Sequence, residues 1–455
     1  MTSDPRPDAQ NGSGKSADRQ VWAIAGPAII ANSSAPLVGL VDTWAIGHLP
    51  VATHLAAVGV GATVFSFIFW SFGFLRMSTT GLIAQAHGRG DREAQRRVMV
   101  RSLALGLLVA AILIATQSAL FSLSVAAVGP EPAIAQLFGE YFHIRIWSAP
   151  AVLATYAFTG YLIGIAKAKA ALVVQLVLNI SNAGLNLLFV LGFGMGADGI
   201  ALGSLIAEWS AAFVGLAMLT HFLGGRALLA TLLSGLTWTY DGFRHLLETN
   251  VFIFVRTLIL LTALTMVMRQ ANGISEGAVA ASHVMNVFML LISLGLDAFA
   301  YAVEALAGAA YGKGVRHDFK KWVWVTSKWA IGASVAYSLA FYWFGADIIG
   351  GLTDVASVRA AAVGALPAII WLPVVSVWCY QFDGIFIGAT AAKAMMVTML
   401  ISFAVFMALV GPMTDAMGLL GLWWTVVIFL GCRGLSQAVY YPFIERKIGE
   451  QPAGA

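Results

Sequence analysis

Charge is what this sequence has least of. Asp, Glu, Lys and Arg make up 11% of its 455 residues, while 59% are hydrophobic. That balance excludes a water-soluble domain, because soluble chains carry about a quarter of their residues charged and a single core stops growing near ~250–300 residues. Cysteine is scarcer still. Cys379 and Cys432 lie far apart in sequence, each inside an apolar run, and offer neither a metal-ligand spacing nor a disulfide framework. They read as small apolar packing residues. No HExxH, P-loop lysine motif, GxSxG or CxxC occurs, so metal-assisted hydrolysis and nucleotide-driven work have no carrier. "GFGMGADG" at 192–199 imitates a dinucleotide fingerprint, but it joins two apolar runs and follows no strand. The ten-residue alternation of barrel strands is missing as well.

What the chain does have is long apolar runs. Twelve stretches of 20 or more residues recur, near 20–47, 54–86, 98–127, 134–163, 169–192, 198–222, 244–270, 277–311, 320–345, 358–388, 390–411 and 416–443. Each is long enough to cross a hydrocarbon core of about 30 Å as a helix. The composition therefore predicts an all-α polytopic membrane protein with twelve transmembrane helices. Residues 1–19 are polar and rich in Pro, Gly and Ser, which suggests a disordered tail without the layout of a signal peptide.

The net charge of +4 could suggest nucleic acid, but the cations sit in alternate connections. Arg89, Arg92, Arg96 and Arg97, then Lys167 and Lys169, then Arg226 and Arg244, then Lys313, Arg316, Lys320 and Lys321, then Lys393, and finally Arg446 and Lys447 fall on one side. Glu131, Asp198, Glu276, Asp347, Asp354 and Asp415 fall on the other, with Arg359 as the main exception. This positive-inside pattern puts both termini in the cytoplasm and requires an even number of spans. It leaves no nucleic-acid surface.

An internal repeat runs at an offset of 224. "HGRG" at 87–90 aligns with "YGKG" at 311–314, and "GYLIGIAKAK" at 160–169 with "GIFIGATAAK" at 384–393. "MGADG" at 195–199 resembles "MGLLG" at 417–421 at an offset of 222. The chain is thus expected as two pseudo-symmetric six-helix lobes, 20–222 and 244–444, joined by a cytoplasmic connection over 223–243 and followed by a tail at 445–455. Six helices per half make the repeats parallel, a plan in which transporters bind substrate between the halves.

Charged groups inside a membrane are costly and ask for a reason. In the first half Asp42 stands in "GLVDTWAIGHL", and "NISNAGLN" places Asn179, Asn182 and Asn186 on one face of the fifth span. Amides can hold a carboxylate and can re-pair when it takes a proton. The plainer alternative leaves Asp42 at a helix end in water and makes the asparagines interhelical glue. In the second half Asp297 and Glu304 share a face at a spacing of seven, Arg256 is placed to pair with either, Asp383 sits in the tenth span, and His283 reads as an interhelical donor more readily than as a proton relay. A structural ion-pair network is as good an account of these as a substrate cavity. Glu208 and Arg433 carry no role beyond pairing, and Met266, Met285, Met289, Phe65 and Phe69 read as core or lipid-facing before they read as a drug surface.

Five segments carry a resemblance to a known family: "GLVDTWAIGHL", "FLRMSTTGLIAQAHGRGD", "NISNAGLN", "LDAFAYAVEALAGAAYGKG" and "FDGIFIGATAAK". In this order, from about residue 20 to 444, the chain resembles the multidrug and toxic compound extrusion (MATE) family, in its DNA-damage-inducible F (DinF) subfamily. The resemblance implies N- and C-lobes around a central cavity and export of small organic, often cationic or amphipathic, compounds in exchange for H⁺ or Na⁺. It implies a monomer in the bacterial cytoplasmic (inner) membrane, with the lipid bilayer and the substrate as its partners, no cofactor, and no enzymatic activity. Asp42 matches the subfamily's coupling-ion aspartate, and Asn179 and Asn182 match its neighbours. Asn186 departs from the aspartate of many relatives, which leaves one carboxylate and weakens a sodium site more than a proton site. Asp383 matches the tenth-helix aspartate of the NorM-type cation site, whereas Arg256 replaces that site's glutamate. The resulting expectation is H⁺-coupled antiport by alternating access. The alternatives are a flippase for lipids or lipid-linked precursors, drawn from the same superfamily, and, far less favoured, a polytopic membrane enzyme.

Overall fold

In a computed structural model, residues 8–47 and 52–449 are described, the side chains at 8–15, 35, 37, 42, 43, 45–47, 52 and 245 excepted. Among them all regular structure is helical, in fifteen α-helices with three short 3₁₀ or π turns between them. The first nine are α1 (Asp8–Gly47), α2 (Ala52–Ser71), α3 (Phe74–Gly88), α4 (Arg92–Ala115), α5 (Gln117–Val128), α6 (Pro132–Arg145), α7 (Ala149–Gly164), α8 (Ala168–Leu187) and α9 (Ala197–Leu223). A short α10 (Gly225–Leu233) leads to α11 (Tyr240–Ile274), α12 (Glu276–Gly312), α13 (Arg316–Leu352), α14 (Ala356–Gly388) and α15 (Ala392–Arg446).

Eleven helical stretches among the described residues are long and apolar enough to cross a membrane. The last of them, α15, has 55 residues, and its helical geometry is interrupted at Gly418, at φ 60° and ψ −137°. Only glycine adopts such a backbone without strain, so the break falls there. The two pieces, 392–417 and 419–446, are about 39 and 42 Å long at 1.5 Å per residue. Each spans a bilayer, so the architecture is the expected twelve-helix one. Helix ends follow local chemistry. Asp91 caps α4 by accepting from the Ala94 amide at 2.8 Å, and Ser275 caps α12 by accepting from the Ala278 amide at 3.1 Å.

The chain divides into two compact units: Pro27–Asn250, and Met1–Gly26 together with Val251–Ala455. Both changes of unit fall inside helices, α1 and α11. The connection over 223–243 stays with the first unit, because Arg101 of α4 donates to the Thr237 carbonyl at 2.7 Å and to the Thr239 hydroxyl at 3.3 Å. The start of α1 belongs to the second unit. Helix α1 begins at Asp8, inside the segment that the composition suggested was a disordered tail. Asp18 accepts from Lys328 at 2.9 Å and from the Trp329 indole at 2.8 Å, and Trp22 meets Phe299 and Trp329 edge-on. An ion pair and an indole hydrogen bond hold Asp18 inside that polar segment, and the ring contacts of Trp22 follow in the first apolar run.

The repeat is visible atom by atom within each unit. A Cβ on Gly160 of α7 would lie 2.7 Å from the Arg76 carbonyl of α3, and one on Gly164 would lie 2.9 Å from the Thr80 carbonyl. A Cβ on Gly384 of α14 would lie 2.6 Å from the Ala300 carbonyl of α12, and one on Gly388 would lie 2.9 Å from the Glu304 carbonyl. All four pairs are related by 224 residues. The Gly-xxx-Gly pairs let two helices touch backbone to backbone where no side chain fits. The turns that follow repeat as well, with Ala166 at φ 58° and Thr390 at φ 53°.

Candidate functional site

Asn179, Asn182 and Asn186 are all buried, at 8%, 9% and 0% exposure. Their amides form two chains of hydrogen bonds. In one, Gln175 donates to Asn179 at 3.1 Å, Asn179 donates to the Ser34 hydroxyl of α1, and Ser34 donates to the Ala31 carbonyl at 2.7 Å. In the other, Asn186 donates to Asn182 and Asn182 to the Ser204 hydroxyl of α9, each at 2.9 Å. Gly203 makes room for this, since a Cβ there would collide with the Asn186 amide oxygen. One face of α8 thus ties α1 to α9 entirely through neutral, re-orientable groups. Hydroxyls and amides both donate and accept, so such a ladder can reverse its donors when a neighbour changes protonation.

Helix α1 is itself adaptable at this point. Pro27 and Pro36 lie inside it, and each removes one backbone N–H from the ladder, freeing the carbonyl four residues earlier. Ser34 stands between them. Asp42 lies on α1 eight residues beyond Ser34, and its side chain is outside the described residues.

The second unit builds a different kind of cluster. One carboxylate oxygen of Asp383 on α14 accepts from both Arg256 of α11 and Arg433 of α15, and the other accepts from Gln437 at 2.8 Å. The two guanidinium groups are each 6% exposed. Arg256 therefore finds its partner in Asp383, where the helical spacing had offered Asp297 or Glu304. Glu304 is buried and Asp297 half-buried on α12, and Tyr380 of α14 shares a 2.6 Å hydrogen bond with Ser293. His283 is exposed on α12. Glu208 pairs with Arg145 at 3.2 Å, and Arg433 with Asp383, so each has a partner within its own unit. The guanidinium of Arg145 also covers Phe65 and Phe69 at 5.8 and 5.4 Å, which makes those rings part of a packed core.

Comparison with known proteins places the chain in a family. The MatE family pattern matches residues 27–188 and 250–413, one block in each half of the chain. The chain belongs to the MatE family. Its similarity to DNA damage-inducible protein F of Escherichia coli K12 is 36% identity, covering 94% of this chain and 92% of that one. A probable multidrug resistance protein NorM of Rhizobium meliloti is 28% identical, over 74% and 72% of the two chains. Among solved structures, an outward-facing multidrug resistance MATE family transporter superposes with a TM-score of 0.84 at 19% identity, covering 96% of this chain and 97% of that one. The MatE fold is thus shared across nearly the whole length. This MatE chain is a multi-pass membrane transporter and not an enzyme.

Against that family background, Gln175, Ser34, Ser204 and Gln437 are the polar partners that the sequence did not single out, while Arg433, expected only to pair, pairs with Asp383. Gln175 was within reach, being four residues before Asn179 on the same face, and Arg433 and Gln437 are also four apart. Ser204 carries no such signal, because a lone serine in an apolar helix ordinarily bonds its own backbone, whereas Ser34 belongs to the polar run Asn32–Ser33–Ser34.

Proposed function

We propose that this protein exports small organic, often cationic or amphipathic, compounds in exchange for protons, with Asp42 as the coupling group. The observation that carries the reading is the buried face of α8 formed by Asn179, Asn182 and Asn186, which meets α1 where Asn179 donates to Ser34 and α9 where Asn182 donates to Ser204. Helices α1 and α8 are the first and fifth spans and cross in the same direction. From Ser34 to Asp42 is eight residues, about 12 Å of helix, and from Asn179 to Asn186 is seven, about 10.5 Å. On parallel helices these similar rises from the Ser34–Asn179 contact support a reading in which Asp42 stands near the level of Asn186. An amide-lined site holds a carboxylate through donated hydrogen bonds, and the same amides turn to accept when the acid is protonated.

In this mechanism ionised Asp42 favours the state that takes up substrate from the cytoplasm. Protonation from outside cancels the charge, lets α1 repack about Pro27 and Pro36, and weakens substrate binding. The driving force is about 2.3 kcal/mol per charge per 100 mV of membrane potential, plus ~1.4 kcal/mol per pH unit. The second unit supports assigning the coupling to the first. Asp383 already accepts from two guanidinium groups and an amide, which leaves little capacity for a sodium ion. Export rather than lipid flipping is favoured by the names of the relatives that are called multidrug resistance proteins. The transporter works as a monomer in the bacterial cytoplasmic membrane, with both termini inside.

The test is efflux from proteoliposomes in which proton and sodium gradients are clamped independently. Export is expected to follow the proton gradient at zero sodium gradient. Export that follows only sodium would overturn the proton assignment.

A further inference from the structure

At the basic end of the second unit, a cavity of about 330 Å³ opens where α14 turns into α15 and meets the last turns of that helix. Tyr311, Thr390, Lys393, Tyr440, Phe443 and Lys447 line it. We infer that this cavity binds the phosphate of an anionic phospholipid headgroup, with Lys393 and Lys447 as its cationic ligands.

Charge is the first support. Glu445, the acid nearest in sequence, is already taken by Arg316 at 2.6 Å and Lys320 at 2.6 Å. Among the described residues neither Lys393 nor Lys447 has an acid partner, and Arg446 adds a third cation against the Phe443 ring at 5.9 Å. The local balance is positive and unspent. Basic pockets between transmembrane helices are where anionic headgroups are held.

Shape and polarity are the second support. Tyr440 packs on Phe386 and Phe443 at 5.9 and 5.5 Å, which makes a firm aromatic wall. Phe443 remains exposed. Aromatic rings with a polar tip are the side chains that settle at the level of headgroups. A phosphate between the lysines would leave the glycerol and acyl chains against this wall.

The internal repeat supplies the third. The first half keeps the same turn, with Ala166 at the position of Thr390 and with the same left-handed backbone. At the offsets of 224 and 222 the counterparts of Tyr311, Tyr440, Phe443 and Lys447 are His87, Met218, His221 and Gly225. Only Lys169 remains, opposite Lys393. The fold therefore needs the turn but not the second lysine, the hydroxyl or the tyrosines. A zwitterionic headgroup brings its own cation and would gain less from two lysines, so the preference is for an anionic one.

The experiment is native mass spectrometry of the full-length protein in detergent, titrated in turn with phosphatidylglycerol, phosphatidylcholine and inorganic phosphate. Phosphatidylglycerol is expected to bind several-fold more tightly than phosphatidylcholine, and millimolar phosphate not to displace it. Lys393→Gln and Lys447→Gln should each weaken phosphatidylglycerol by about fivefold, the factor that corresponds to ~1 kcal/mol per cation near a membrane surface. The double variant should weaken it by about 25-fold on that scale, with an unchanged unfolding temperature. Lys393→Arg with Lys447→Arg should restore binding, and Lys169→Gln should leave it unaltered. Equal binding of the two lipids, or glutamine variants that bind like the parent, would overturn the proposal. So would inorganic phosphate that occupies the site with the same lysine dependence, because the ligand would then be a soluble phosphate.

Discussion

Replacing Asp383 by Asn keeps the size of the side chain and removes its charge, and the consequence follows from what surrounds it. Arg256 and Arg433 both donate to one oxygen of this carboxylate, and both are almost wholly buried. Without the anion, two guanidinium groups remain in an apolar interior with a neutral amide between them. Breaking a buried ion pair by removing one partner costs roughly 3–5 kcal/mol, because the other charge is left uncompensated. Native stability is typically about 5–15 kcal/mol, so Asp383→Asn is expected to remove a large share of it. Thermal unfolding of purified protein in detergent should show a midpoint lower by several degrees, with reduced yield from membranes. Asp383→Asn combined with Arg433→Met should recover part of the loss, since one of the stranded cations is gone. An Asp383→Asn protein that unfolds at the parent temperature would refute the structural reading. A stable Asp383→Asn protein that had lost only its response to the proton gradient would do so too, and would move the coupling group into the second unit.

Three further outcomes follow from particular contacts. Gly384→Ala and Gly160→Ala place a methyl 2.6 and 2.7 Å from a carbonyl of the facing helix; each should cost about 1–3 kcal/mol as overpacking, read as a lowered unfolding midpoint. Gly418→Ala puts a side chain at φ 60°, ψ −137° and should cost about 1–3 kcal/mol; cysteine labelling from the two sides of the membrane would reveal whether residues 419–446 still cross. Ser34→Ala removes the acceptor of Asn179, and its stability cost should be only about 0.6 kcal/mol, the usual worth of an interhelical hydrogen bond in a membrane. Its proton-driven transport should nevertheless fall several-fold, because α1 loses its tie to the amide ladder; unchanged transport would separate that ladder from coupling.

The number of spans could be read from the sequence because it depends on run length and hydropathy, which need no knowledge of contacts. The repeat could be read because Gly160, Gly164, Gly384 and Gly388 are required by backbone approach, and no other residue type fits there. A break near Gly418 was legible from the separation of the runs 390–411 and 416–443, but its exact place was not, since a glycine's backbone angle leaves no trace in composition. The partners of Asp383 were not legible. Arg256 is 127 residues away and Arg433 is 50, and helical periodicity orders a face without saying which helix it meets. The same limit hid the contact of Asp18 with Lys328 and Trp329, which orders a segment whose own composition argues for a tail.

The central claim is that one acid on α1, next to neutral amides, converts the proton gradient into export. It is tested most directly by substrate efflux from vesicles with an imposed pH gradient, comparing the parent with Asp42→Asn. Substrate is expected to bind both proteins, and gradient-driven export is expected to vanish in the variant. Export by Asp42→Asn at the parent rate, with protons still moving inward, would contradict it.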